Sequence, residues 1–223
     1  SPELEGIPET YIDKDHMYTG TKVITTGIIY NTDLTDTIPT SFADLTDEAY
    51  KDDLIMPSPL YSGAAAYNLG VLTRTEGLGW DYYQALKDNG ITVGQGNGSV
   101  QNAVVAGEKA CGLLADYMAI RSKNDGAPVE FVYPAEGSPA VTEPIGIVNG
   151  TENEDLAKAF VDFVLSEEGQ ALTAEIGYTP VKSGVAVPEG FKSIDEITPL
   201  SWDTEELYQN READKAQFSQ MFQ

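Results

Sequence analysis

The sequence predicts an α/β fold built on a largely parallel sheet. Two observations carry this prediction: short apolar, β-branched runs recur along the chain, and segments with helical spacing of apolar residues separate them. The run at residues 23–30, VITTGIIY, is nearly continuous and is typical of a buried strand. Alternating strands and helices favour parallel pairing, because each crossover helix returns the chain to the same end of the sheet.

The remaining elements follow in order along the chain. Further strands are predicted at residues 53–56, 91–93, 109–114, 129–133 and 145–148. Helices are predicted at residues 62–73, 80–88, 99–106, 116–123, 153–165, 166–176 and 203–218. In the helix that begins near Asn153, the apolar spacing predicts a buried face made of Leu156, Phe160, Phe163 and Val164.

Charge and composition exclude several classes of function. The 223 residues include 36 Asp and Glu but only 13 Lys and Arg, which gives a formal net charge of −23. Such a chain is a poor match for a nucleic-acid backbone or an anionic membrane surface. A small anion is still compatible, because a few backbone N–H groups can bind one inside a local pocket.

The sequence contains few of the side chains that bind metals or act as nucleophiles. Cys111 is the single cysteine and His16 the single histidine, so the sequence offers no disulfide, Cys-based zinc site or multi-histidine site. Cys111 lies in an apolar strand and is expected to be an inert thiol, and His16 is expected on the surface. We expect neither a metal nor a cofactor.

Two strand-to-helix turns are candidate anion sites. Ser62, Gly63 and Ala64 open a helix after the proline-rich end of a strand, where small residues let a ligand approach free N–H groups. Ser99 follows the glycine-rich turn GQGNG at residues 94–98 and is predicted to be a helix N-cap. The alternatives are a tightly packed turn at the first position and a plain flexible turn at the second.

A third candidate lies at the end of the strand that contains Cys111. Asp116 and Tyr117 follow that strand, and the carboxyl ends of parallel strands are where open sheets bind ligands. The alternative is that Asp116 caps the next helix while Tyr117 packs on the surface.

A series of short motifs resembles one protein family. The motifs are Tyr11-Ile12-Asp13, Tyr18-Thr19-Gly20, TGIIYNT (26–32), PTSFADL (39–45), Ile55-Met56-Pro57, Ser62-Gly63-Ala64, Ala106-Gly107-Glu108, GAPV (126–129), YPAEG (133–137), AFVDF (159–163) and SEEGQ (166–170). In order and spacing the chain resembles the extracytoplasmic solute-binding proteins of ABC importers, in the branch for ferric iron, phosphonates and sugar phosphates.

The resemblance implies a two-lobe, type 2 periplasmic-binding-protein fold. It places residues 30–137 in the second lobe, and residues 1–29 and 138–223 in a first lobe that lacks its opening strand-helix-strand block. The crossovers would be residues 25–28 and 141–144. A monomer is expected for the full-length form, and association is possible for a chain with an incomplete first lobe because apolar faces would be left unpaired.

The resemblance also implies ligand capture in an interlobe cleft and delivery to a membrane permease, not catalysis. The ligand-binding residues would be Thr25 and Thr26 at the hinge, with Ser62, Gly63, Ala64, Ser99, Asp116 and Tyr117 in the second lobe. The expected ligand is a small organic anion such as an organophosphate or phosphonate. The protein would lie in the periplasm or on a lipid anchor at the cell surface.

Three other functions stay open at this point. The first is ferric-iron transport. Ferric-iron members of the family carry adjacent tyrosines where this chain has Tyr117-Met118, and a thioether is a poor ligand for Fe(III). A hydrolase using Asp116 or Glu143 as base is a second alternative, although no nucleophile–base constellation supports it. A structural or partner-binding α/β module without a small-molecule pocket is the third.

Overall fold

The computed structural model describes all 223 residues, which form two compact units. The first unit consists of Ser1–Ile24 and Val141–Ile197, and the second of Thr25–Ala140 and Thr198–Gln223. The chain therefore passes between the units three times. Two of these passages lie inside strands, and the third precedes the C-terminal segment.

Eight strands and seven α-helices alternate along much of the chain, and the α/β prediction is confirmed. The strands are β1 (Thr19–Asn31), β2 (Leu54–Pro57), β3 (Thr92–Gly94), β4 (Cys111–Ala115), β5 (Val129–Val132), β6 (Ser138–Ile145), β7 (Thr179–Pro180) and β8 (Pro199–Leu200). The helices are α1 (Gly63–Leu72), α2 (Gly79–Asp88), α3 (Asn97–Val105), α4 (Asp116–Asn124), α5 (Glu154–Leu165), α6 (Glu167–Glu175) and α7 (Thr204–Met221).

The sheet of the second unit is parallel at one side and antiparallel at the other. β2 pairs in parallel with both β3 and β4, whereas β1 runs antiparallel to β4 and β5. Successive side chains of β1 enter different cores: Ile28 packs in one hydrophobic cluster and Ile29 in the other, and both are fully buried. Burial on both faces explains why this strand reads as a continuous apolar run.

Helix α7 belongs to the second unit, which differs from the expected division. The sequence-based boundaries placed all of 138–223 in the first lobe, but residues 198–223 pack with the second unit. Arg74, just after α1, makes the connection: its Nη1 atom lies 2.8 Å from Asp214 Oδ2 on α7. The absence of a side chain at Gly70 permits this close packing, because a Cβ atom there would lie 2.8 Å from Leu207 Cδ2.

We expect Asp214→Asn to lower the free energy of unfolding by about 1.5–3 kcal/mol, since it weakens a largely buried, charge-assisted hydrogen bond. Glu206→Gln is the matched control, because Glu206 also contacts Arg74 but its side chain is 48% exposed. The control should change stability by about 0.5 kcal/mol or less. Urea denaturation of both variants checks this, and equal effects would contradict the role assigned to Asp214.

In the first unit, Gln170 of α6 is fully buried and links several segments through hydrogen bonds. Its Nε2 atom donates to the carbonyls of Thr21 and Val164, and its Oε1 atom accepts from the N–H of Val181 at 2.8 Å. One buried amide therefore fastens β1, the end of α5 and the segment after β7 together.

The predicted buried face of α5 is wrong for most of its residues. Leu156 is 71% exposed, Phe160 60% and Phe163 43%, while Val164 is half-buried. The amphipathic spacing is correct, but the main packing partners of α5 are α6 and the short 3-10 helix at Pro2–Leu4. Periodicity identifies which side of a helix is apolar, and it cannot show whether a partner covers that side.

Candidate functional site

Three helices begin at one edge of the sheet in the second unit. The parallel strands β2, β3 and β4 end at the same edge, and α1, α3 and α4 follow them. β1 enters the same edge from the opposite direction, so that Thr26 lies opposite Ala115. All the ligand-binding residues expected from the sequence lie on these elements: Thr25, Thr26, Ser62, Gly63, Ala64, Ser99, Asp116 and Tyr117.

The start of α1 offers two unused backbone donors. Ser62 is the N-cap, and its side chain accepts from the N–H of Ala65 at 3.2 Å. The N–H groups of Gly63 and Ala64 precede the first intrahelical bond, and no protein atom accepts from them. Gly63 is exposed and a Cβ atom there would meet nothing within 4 Å. The helix dipole favours an anion at this position.

The start of α3 differs from the prediction. The helix begins at Asn97 with Gly96 as N-cap, so the prediction that Ser99 caps it is wrong. The carbonyl of Gly96, three residues before Ser99, already accepts from the N–H groups of Ser99 and Val100 and closes the first turn. The N–H groups of Asn97 and Gly98 have no protein acceptor.

Hydrogen bonds hold the loops of this edge together. The N–H of Ser58, in the loop before α1, donates to the carbonyl of Gly94 at the end of β3, with a distance of 2.8 Å. The N–H of Ser62 in turn donates to the carbonyl of Ser58 at 3.0 Å. The loop before α1 is therefore bonded to the end of β3, and α1 and α3 follow neighbouring strands of the sheet.

Asp116 turns inward at the start of α4. Its Oδ2 atom accepts from Thr25 Oγ1 at 2.8 Å, and its Oδ1 atom accepts from the N–H of Tyr117 at 2.7 Å. Thr25 is fully buried and Asp116 is 1% exposed. Burial raises the pKa of the Asp116 carboxyl to about 6, although these hydrogen bonds oppose the rise. In this structure, Asp116 joins α4 to β1. Because its carboxylate accepts from the N–H of Tyr117, the start of α4 is a less favourable place for an anion than the starts of α1 and α3.

The pKa of Asp116 gives a pH-dependent stability. Its folded-state pKa of about 6 lies above the ordinary value of 3.8, so the carboxyl opposes folding when ionised. This penalty is absent below about pH 4, grows as the pH rises to 6, and amounts to about 3 kcal/mol above that. We expect the free energy of unfolding of Asp116→Asn, relative to that of the parent chain, to be higher at pH 8 than at pH 4. Urea denaturation at both pH values measures this, and a pH-independent difference would contradict it.

The residue after Asp116 shows a cation–π contact. The Arg121 guanidinium lies 5.4 Å from the centroid of the half-buried Tyr117 ring. Met118 is also half-buried and packs beside one of the hydrophobic clusters. Tyr117 therefore has its own packing contact within α4.

Other candidate groups lie away from this edge. Burial raises the pKa of the Cys111 thiol to about 12, and His16 is exposed. In the first unit, Glu143 forms a 2.5 Å ion pair with Lys22. No three His, Cys, Asp or Glu side chains are grouped as metal ligands are.

None of the helices combines the length and the apolar character that crossing a membrane requires.

The fold belongs to the open α/β class, in which ligands generally bind outside the carboxyl ends of the strands. The chain belongs to the family of bacterial extracellular solute-binding proteins, whose pattern it matches over residues 1–210. This family is one of transport binding proteins.

Relatives in sequence agree with this membership. A Haemophilus influenzae protein without a characterised function is 31% identical over 149 residues, covering 63% of this chain and 41% of its own. A Salmonella typhimurium protein, provisionally named a 2-aminoethylphosphonate-binding periplasmic protein, is 28% identical over 173 residues, covering 71% and 50%. A Sinorhizobium fredii protein, provisionally named an ABC transporter periplasmic-binding protein, is 27% identical and covers 74% and 50%. This chain thus spans about half the length of these relatives.

Solved structures share the fold. The periplasmic binding protein AfuA of Actinobacillus pleuropneumoniae, with fructose-6-phosphate bound, has a TM-score of 0.82 at 23% identity, covering 100% of this chain and 75% of its own. Iron-bound HitA of Pseudomonas aeruginosa also has a TM-score of 0.82, at 20% identity, covering 97% and 74%. The type 2 periplasmic-binding-protein fold expected from the resemblance is confirmed.

Proposed function

We propose that this chain captures a small anionic solute at the edge where α1 and α3 begin, as part of the substrate-binding component of an ABC importer. One observation carries the proposal: four backbone N–H groups, at Gly63, Ala64, Asn97 and Gly98, have no protein acceptor at neighbouring helix starts. Such groups, aided by two helix dipoles, bind anions without a basic side chain.

A phosphonate or organophosphate is the ligand class that these donors favour. A tetrahedral anion has several oxygens, so it can accept from more than one N–H group at once. The provisional name of the Salmonella relative and the ligand bound to AfuA point to the same class. The net charge of −23 does not oppose this proposal, because the donors act over hydrogen-bond distances and the excess carboxylates are distributed over the whole chain.

The proposal also includes a cellular location and a protein partner. The protein would act outside the cytoplasm, in the periplasm or on a lipid anchor, and would deliver its solute to a membrane permease without chemical change. The full-length form would be a monomer. Family membership supports the extracytoplasmic place and the transport role.

Calorimetric titration with 2-aminoethylphosphonate, fructose 6-phosphate and inorganic phosphate tests the proposal. Binding without turnover is the expected result for at least one probe. Release of phosphate or of an alcohol from phosphate esters would instead favour the hydrolase alternative, with Asp116 or Glu143 as base. No heat with any of the three would contradict the proposal.

A ferric-iron transport protein is the second candidate, because iron-bound HitA shares the fold. We expect no tight Fe(III) site here, since Met118 occupies the position next to Tyr117 and a thioether is a soft ligand. Adding ferric citrate should produce no visible tyrosinate-to-iron absorption band. A band that Tyr117→Phe removes would establish iron binding and contradict this expectation.

A further inference from the structure

A buried side-chain pair joins α1 to β1 beside the proposed site. Asn68 Nδ2 lies 3.0 Å from Thr26 Oγ1, and the two residues are 7% and 6% exposed. Thr26 lies opposite Ala115, the last residue of β4. Asn68 follows Gly63 by five residues, which is about 7.5 Å along a helix axis. The pair therefore lies near both the strand ends and the free N–H groups of α1.

The direction of this hydrogen bond fixes the Thr26 hydroxyl. The amide nitrogen of Asn68 can only donate, so Thr26 Oγ1 is the acceptor. A hydroxyl carries one hydrogen, and that of Thr26 must point away from Asn68. It donates to no protein atom in this structure. A largely buried donor without an acceptor is uncommon in folded proteins and calls for an explanation.

The neighbouring threonine shows the opposite arrangement. Thr25 Oγ1 donates its hydrogen to the Asp116 carboxylate at 2.8 Å, and Thr25 is fully buried. A carboxylate partner therefore consumes the hydrogen of Thr25, whereas an amide partner leaves the hydrogen of Thr26 unused. Only Thr26 of this pair keeps a hydroxyl donor for a bound molecule.

We infer that Asn68 is a positioning residue that fixes Thr26 as a hydrogen-bond donor to an oxygen of the bound solute. The inference rests on the proposed function and narrows it. A phosphate, phosphonate or sulfate oxygen can accept the Thr26 hydrogen.

A double-mutant cycle on the 223-residue chain tests the inference. Asn68→Asp keeps the shape of the side chain, but its carboxylate would accept the Thr26 hydrogen and add a negative charge. Thr26→Val removes the hydroxyl, so Asn68→Asp in the Thr26→Val background measures the effect of charge alone. Thr26→Ser is the matched control that keeps the hydroxyl. The probe is 2-aminoethylphosphonate, with NMR shifts of the Gly63 and Ala64 amides as the readout.

We expect Thr26→Val to raise the half-saturating probe concentration about tenfold or more, and Thr26→Ser to stay close to the parent chain. Asn68→Asp should weaken binding about tenfold more in the parent background than in the Thr26→Val background. Equal penalties in the two backgrounds would overturn the role of Asn68. If Asn68→Asp fails to fold, Thr26→Val and Thr26→Ser decide, and equal affinity for these two overturns the inference.

The outcomes separate this inference from the proposed function. Probe-dependent shifts at Gly63 that persist unchanged in Thr26→Val would leave anion capture at α1 standing and overturn the role of Thr26. A parent chain in which no amide shifts with the probe, with inorganic phosphate or with sulfate would overturn both.

Discussion

Gly63→Val should weaken anion binding by about 10- to 100-fold while leaving the fold intact. The isopropyl group would stand over the free N–H groups at the start of α1 and hold an anion away from them. Loss of one charge-assisted hydrogen bond costs about 1.5–3 kcal/mol, which corresponds to this range of affinity. The fold should tolerate the change, because a Cβ atom at Gly63 meets nothing within 4 Å.

Calorimetric titration with 2-aminoethylphosphonate, beside a thermal melt, measures both parts of this prediction. Ala213→Val on α7 is the control, since it adds a similar group at an exposed helical position away from the edge. It should leave affinity and melting temperature unchanged. If Gly63→Val bound the probe as tightly as the parent chain, the turn would serve packing alone and the anion site would be misplaced.

Gly27→Ala should be strongly destabilising, although it adds only one methyl group. A Cβ atom at Gly27 would lie 2.4 Å from the carbonyl oxygen of Val132 and 2.6 Å from Phe131 Cζ. The side chain could move, but the carbonyl belongs to β5, which pairs with β1. Relief therefore requires a backbone shift in the sheet, at a cost of about 3 kcal/mol.

Thermal denaturation is the direct measurement for this variant. In a chain of this size each kcal/mol corresponds to about 2–4 °C, so the melting temperature should fall by about 6–12 °C. Gly98→Ala, on α3, is the matched control because a Cβ atom there meets nothing within 4 Å. It should melt close to the parent chain. A Gly27→Ala melt equal to that of the control would show that β5 adjusts without cost.

Local sequence signals located the strand ends from which the site is built. The proline-rich turn before Ser62 and the glycine-rich turn after residue 93 each predicted a strand followed by a helix, and both helices are present. The boundary of α3 was wrong by two residues. The reason is that a backbone carbonyl, that of Gly96, closes the first turn without a side-chain cap, whereas the prediction relied on the hydroxyl of Ser99.

Contacts between residues far apart in the chain could not be predicted from the sequence. Thr25 and Asp116 are 91 residues apart, and only the antiparallel pairing of β1 with β4 brings them together. Asn68 was not recognised as a site residue, because an asparagine inside an alanine-rich helix has no distinguishing pattern. Its significance comes from Thr26, a partner 42 residues away.

The sequence by itself determined the α/β class, the apolar strands and the turns that expose helix N-termini, because these follow from local periodicity and backbone chemistry. It also limited the available chemistry through one cysteine and one histidine. Tertiary structure alone decided that Asp116 faces inward, that α7 packs on α1, and that the apolar face of α5 is exposed. Each of these depends on which distant segment packs against the residue, and a local pattern does not encode its partner.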